Sequence, residues 1–479
     1  MPRQPIRRPE PKPHAGVIPI IIMIDRISSI ASVLVCHLFI SSLWMSPLLA
    51  GGISSRAEGA FQREALSAFN AGRYDRVIQL YETIPSEREL SAGLLKAAVA
   101  SYLQLGRSEP AVNAYTRLVP PGQPDDLALL RKLAKEIIIS RVRDPEAHIR
   151  IAAFTALTEL PDPKAKAVLE DGLFDSSVLV RVRSAEGLGR LGAVHASQRS
   201  TALSSLKRAL QDTAPTVRIA ALHALGEIGD PSVSDLVARI AEAEEGPTHV
   251  FALAALVKLG RNEALSDLLG AATLPDPDSR MAALGVLGRL KRPGSFSRVA
   301  QLIYDPNPSV RAFAAGALGD YGDPEGAAAL AHAAGDEHPR VRSIAAASLG
   351  RLGLPDAGTI LRQVAKDPDE LVRVGAVEGL LRLGDSEATM IAADLAKHPD
   401  PSIRSAAAQA LGQAGNKRVL PLLDQLRQDR QPQPRLMAAR ALGKISGQDS
   451  IQLLKKSLHD SDAAVRIAAA GSLLRITGS

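Results

Sequence analysis

One phrase, DPNPSVRAFAAGALGDYGD at residues 305 to 323, returns along most of the chain. With Arg311 as marker, equivalent positions fall at Arg150, Arg181, Arg218, His249, Arg280, Arg342, Arg373, Arg404, Arg435 and Arg466. Every interval is 31 residues except the 37 between Arg181 and Arg218. A period of that length restricts the chain to a linear array of small units, each burying its apolar face against its neighbours. Seven residues after the marker, leucine stands in all eleven units, from Leu157 to Leu473. Three after it stands Ala or Ser, as in Ala314 and Ser184. Positions four apart share a helix face, so the pattern predicts a helix whose small residue admits a neighbour and whose leucine fills the space beyond.

The punctuation of the phrase agrees. Asp276, Asn307, Asp369, Asp400 and Asp462 lie four residues before the marker, where a side-chain oxygen can accept from the free N–H groups of a helix start. Pro215, Pro277, Pro308, Pro339, Pro401 and Pro432 occupy the next position, where a missing donor does no harm. Gly192, Gly229, Gly260, Gly322, Gly353, Gly384 and Gly415 are placed to end the helix in the left-handed conformation. A second helix, such as PEGAAALAHAAG, completes each unit. The full form, D-x-x-P-x-V-R-x-x-A-A-x-A-L-G-x-x-G-D, resembles the HEAT-like repeats of the phycobilisome lyase type, and the resemblance runs over residues 143–479. It implies an all-α superhelix of the HEAT/armadillo-like kind. It says little of function, because such units occur in chromophore lyases, in deoxyhypusine hydroxylase and in scaffolds without chemistry.

Upstream the spacing changes. Gly72 and Gly106 are separated by the same interval as Tyr81 and Tyr115, with Tyr74, Tyr102 and Ala111 nearby, and that interval is the tetratricopeptide period. Residues 58–125 resemble two tetratricopeptide repeats, departing from that pattern at Phe61, Val77 and Ser108. PPGQPDD breaks the pattern, and residues 126–142 read as one amphipathic connecting helix. Before all this, Ile27 to Ser55 carries no charge and ends in small residues. Residues 1–57 therefore read as a secretory signal, cleaved after Ala50 or Ala57, or as an uncleaved membrane anchor around residues 27–52. Either reading sends the rest to the periplasm or the outer face of the membrane.

Candidate chemistry is sparse. Cys36 is the sole cysteine and sits in the apolar run, so no disulfide frame or thiolate metal cluster can be assembled. The resemblance to deoxyhypusine hydroxylase would imply iron held by His-Glu pairs, but none of the ten histidines is followed by Glu. His223, His249 and His332 stand singly among apolar residues, and His338 and His398 precede prolines. Gly187, Gly189 and Gly192 match G-x-G-x-x-G, yet they close a helix rather than join a strand to one, so no nucleotide role follows. The recurring arginines, with Asp144, Asp175, Asp212, Asp305, Asp336, Asp367, Asp429 or Asp460 six residues before them, read as a structural ladder tying neighbouring units. Of the net charge of +6, +3 lies before residue 27, and later basic residues have acidic neighbours. That argues against nucleic acid as a partner.

These readings predict an exported, non-catalytic scaffold without cofactor or metal, binding a protein or peptide. A phycobilin-lyase-like or hydroxylase-like activity is the alternative. They also predict a curved rod with the second helices lining its inner surface. The last unit stops at Thr477-Gly478-Ser479 without a second helix, leaving an apolar flank to dock a partner or fray. Two irregularities, His249 in the marker column and the six residues that GAVHASQRS (192–200) adds after Gly192, mark either drift or a partner's demands.

Overall fold

A computed structural model describes residues 55–84, 90–120 and 122–478; the leader read at residues 1–57 lies almost wholly outside them. The described residues are helical throughout, and none of their helices is long and apolar enough to cross a membrane. The chain divides at Glu64/Ala65 into two compact units, and the larger, Ala65–Ser479, carries all eleven marker-bearing helices.

The described residues open with α1 (Ser55–Asn70), α2 (Tyr74–Glu82), α3 (Ala92–Gln104), α4 (Ser108–Leu118) and α5 (Leu127–Ile139). Gly72 and Gly106 turn the chain with positive φ, and Tyr81 meets Tyr102 edge to face at 6.0 Å. The marker-bearing helices follow: α6 (Ala147–Thr158), α8 (Val178–Val194), α10 (Pro215–Ile228), α12 (Gly246–Lys258), α14 (Pro277–Leu290) and α16 (Pro308–Tyr321). The series ends with α18 (Pro339–Leu352), α20 (Glu370–Arg382), α22 (Pro401–Ala414), α24 (Pro432–Leu442) and α26 (Ala463–Gly478). Between them lie shorter second helices: α7 (Lys166–Gly172), α9 (Ala196–Ala209), α11 (Ser234–Ala243), α13 (Ala264–Ala271) and α15 (Ser295–Gln301). The rest of that series is α17 (Ala327–Ala333), α19 (Ala357–Val364), α21 (Ala388–Leu395), α23 (Leu420–Arg427) and α25 (Gln448–Ser457).

Asp276, Asn307, Asp369, Asp400 and Asp462 each accept from backbone N–H groups of the helix they start. Six of the seven glycines named above have positive φ, as Gly322 does at 72°. Gly192 is the exception. It lies inside α8, where a Cβ would stand 2.8 Å from Ile228 and 2.9 Å from Ala202. The added residues explain this: they lengthen α8 to 17 residues and α9 to 14, and His195 at the new corner donates to the Pro161 carbonyl at 2.8 Å.

Two features of the expected rod are overturned. First, the marker-bearing helices, not the second helices, form the inner row. Eight positions after the marker, glycine stands at 189, 226, 288, 319, 350, 412 and 443. A Cβ built on Gly350 would fall 2.1 Å from Gly379 Cα, one on Gly189 2.5 Å from Ala224 Cβ, and one on Gly412 2.6 Å from Ala441 Cα. Backbones held that close form the tight side of an arc, while the second helices touch one another far less and fan outward. Second, the arc closes. Helix α26 packs on α6, with Gly471 against Ala156, so the first and last marker-bearing helices become neighbours. The flank of α26 that was expected to be open is covered by α5, which packs along it where a second helix packs in the other units.

Candidate functional site: the inner face of a closed ring

The arginines hold the row. Arg311 donates through Nε and Nη2 to both oxygens of Asp336 in the next unit, at 2.7 and 3.0 Å, and through Nη1 to the Asp305 carbonyl at 3.0 Å. The same fork joins Arg150 to Asp175, Arg181 to Asp212, Arg280 to Asp305, Arg342 to Asp367, Arg404 to Asp429 and Arg435 to Asp460. Each aspartate meanwhile accepts a backbone N–H two residues on, so it orders its own turn while receiving its neighbour's arginine. The arginine bonds, ahead of backbone bonds and against the effect of burial, hold Asp212, Asp367 and Asp429 below the ordinary carboxylate range. These groups are saturated by one another and have little left for a ligand.

Three joints differ. Arg218 takes Glu244, one residue beyond the usual slot. His249 donates instead to the Ala241 carbonyl at 2.7 Å and sends nothing forward. Arg373 finds His398 where an aspartate would stand and pairs with Glu370 of its own helix at 3.3 Å.

The seam is made of other groups. Arg466, the last of the markers, bonds Glu109 of α4 at 2.8 Å, a carboxylate it shares with Arg141. Lys455 of α25 donates to Asp125 at 2.7 Å, with side chains only 10% and 1% exposed. Gln448, Gln452 and the Tyr115 hydroxyl complete the shell of Asp125, at 3.0, 3.1 and 3.1 Å. Burial, then the Asp125 charge, push the Tyr115 hydroxyl upward. Thr116 bonds His459 at 2.9 Å, and Arg475 of α26 pairs with Glu159, the residue that caps the C-terminus of α6.

On the marker-bearing helices the face opposite the core leucine lies two, five and nine residues after the marker, at about 100° per residue. In the closed row this face lines the channel. The first two of these positions are mostly Ala, Gly, Phe, Ile or Met; the third is a row of charge. Over the three positions there are five carboxylates, and each has a cation: Glu159 with Arg475, Glu186 with Arg183, Glu227 with Lys258, Asp320 with Arg351, and Glu378 with Arg382. Four further cations on the same rows, Arg190, Arg289, Arg440 and Lys444, make no ion pair among the described residues. Burial, then the like charge of Arg183, lower the Arg440 guanidinium. A cavity of about 430 Å³ opens on this face between His223, Lys258 and Arg289, with Phe251, Met281 and Phe313 in its wall and Asp278 at its edge. Gly285 leaves its floor open, and burial, then Lys258, lower the pKa of His223.

Sequence reasoning singled out the arginine markers and did not single out this face. Its signal is weak because the three positions share no residue from unit to unit. Gly187 and Gly189 of the G-x-G-x-x-G match are filled by helix packing, against Leu169 and Ala224. Among the described residues no group of three or more His, Cys, Asp and Glu could hold a metal ion.

The family profile for HEAT repeats matches residues 172–249, 297–373, 359–433 and 419–479, more than half of the chain. The chain belongs to the HEAT repeat family. Among solved structures, human deoxyhypusine hydroxylase in complex with glycerol is similar at 22% identity, over 53% of this chain and 96% of that one, with a TM-score of 0.30. The complex of CpcE and CpcF of phycocyanin lyase from Nostoc sp. PCC7120 is similar at 17% identity, over 63% and 91%, with a TM-score of 0.28. An engineered protein matches at 16% identity, over 72% and 98%, with a TM-score of 0.27. A comparison with curated protein sequences yields no match.

Proposed function

We propose that this HEAT-repeat protein is a non-catalytic scaffold that receives a segment of a partner polypeptide on the inner face of its ring. The observation that carries the reading is the contrast between two sets of polar groups. Those that recur with the repeat are consumed in joining units, while those facing the channel alternate with Phe251, Met281, Phe313 and glycine in a surface suited to contact. Eleven helices at roughly 8–10 Å spacing make a ring about 30 Å across between opposite axes, and helix radii of about 5 Å with side chains included leave a channel of roughly 20 Å. That admits an extended strand or one helix, not a folded domain. The exported location is part of the proposal and rests on the uncharged run from Ile27 to Ser55. Fractionation leaving the protein with cytoplasmic markers would remove that part.

A photo-crosslinking amino acid at Gly285 in the channel, compared with one at the exposed Met390 of α21, tests the binding reading. Polypeptide adducts in the native host from position 285 and not from 390 are the expected result. Equal capture from both positions overturns it.

A further inference from the structure

Resting on that reading, we infer that the segment received in the channel is acidic and carries large apolar side chains. Every carboxylate on the three channel-facing rows already has a cation, and Arg190, Arg289, Arg440 and Lys444 remain over. The surplus is therefore a local feature of this face, and the overall charge of the chain does not reveal it. Surplus cations gathered on one concave wall raise the potential there and attract a ligand of opposite sign. Arg183 and Arg440 sharpen the point. They stand on α8 and α24, distant in sequence but only three joints apart through the seam, near enough to oppose each other's charge, and only Arg183 has an acidic partner. A carboxylate between them would relieve that repulsion.

The apolar part of the ligand follows from the cavity at α10, α12, α14 and α16. Phe313 is 42% exposed and, with Phe251 and Met281, forms a wall beside Arg289, whose guanidinium makes no ion pair among the described residues. An aromatic or aliphatic side chain seated there places a neighbouring Asp or Glu at Arg289. The spacing favours a polypeptide over a nucleic acid. Between the surplus cations lie Ala, Gly, Phe and Met positions that give a regular phosphate backbone nothing to bond, whereas alternate side chains of a peptide meet both kinds of surface.

The test uses the full chain and fluorescein-labelled synthetic peptides read by anisotropy. The first peptide alternates Glu with Phe; two others replace Glu by Lys or Phe by Ser, and an oligothymidylate serves as the other polyanion. The expected result is binding of the Glu-Phe peptide, weakened about tenfold or more by either peptide change, by added salt and by the double variant R289A/R440A. The variant K366A/K397A, which removes two exposed cations from the turns after α19 and α21, leaves affinity unchanged. Neither double variant touches a joint, and unchanged melting confirms that both are folded. Equal binding of the Lys-Phe peptide, tighter binding of the oligothymidylate, or indifference to R289A/R440A overturns the inference. If position 285 crosslinks to polypeptide while the acidic peptide does not bind, the partner's chemistry is misassigned and the scaffold reading stands. Failure of both removes both.

Discussion

An interior joint and the seam do the same mechanical job with different parts. Between α16 and α18 an arginine fork, an aspartate and close-packed small residues connect units that are consecutive in sequence. At the seam, groups from opposite ends of the array meet: Lys455 with Asp125, Gln448 and Gln452 with Asp125, Arg475 with Glu159. An interior joint is one of many, and its loss loosens a neighbourhood. The seam is made once, closes the longest loop in the fold, and buries a charge pair to do so. Repetition thus yields interchangeable joints, whereas closure adds to a pair of the repeating kind, Arg475 with Glu159, the Lys455–Asp125 cluster that lies outside the repeat.

The largest effect is expected at the seam. Lys455→Ala strands the buried Asp125 carboxylate and should cost about 3–5 kcal/mol, seen in urea unfolding and as faster hydrogen exchange in α5 and α26. Exchange there matching the wild type would mean that the ring is held without this pair. Interior joints come next. Arg311→Ala leaves Asp336 its backbone donor from His338, so a loss of about 2–3 kcal/mol is expected. Arg373→Ala, which lacks a fork, should cost about 1 kcal/mol or less. Similar losses for the two would show that the fork contributes little beyond the carbonyl contact both arginines keep. The smallest effect is a gain. His398→Asp supplies the carboxylate that Arg373 lacks and should stabilise by about 1 kcal/mol, because an aspartate can also accept from the Asp400 N–H as His398 Nδ1 now does. A neutral or destabilising result would indicate that Arg373 cannot leave Glu370.

Most of the hairpin was legible in the sequence. The caps at Asp276 and Asn307, the prolines after them and the glycines at 229 and 322 act within a few residues of where they stand, and local chemistry decides them. Gly192 was misplaced because the same letter serves two purposes, a left-handed turn in one unit and close packing in another; the added residues behind it settled which. Asp125 was passed over inside a segment that read as a break, since nothing near it announces a partner 330 residues away. Helix α5 looked like a connector for the same reason. The channel face was hidden because its positions vary from unit to unit, and variability conceals a face as readily as a repeat displays a core.

The sequence by itself determined the unit: its two helices, their ends, and the arginine and glycine that set one unit against the next, all interactions within about a repeat of each other. Only the tertiary structure decided which helix row faces inward and that the row meets itself. Both depend on a small rotation at each joint, summed over the whole array. No single unit encodes that sum, and a few degrees more or less per joint would have left an open superhelix with its last helix bare.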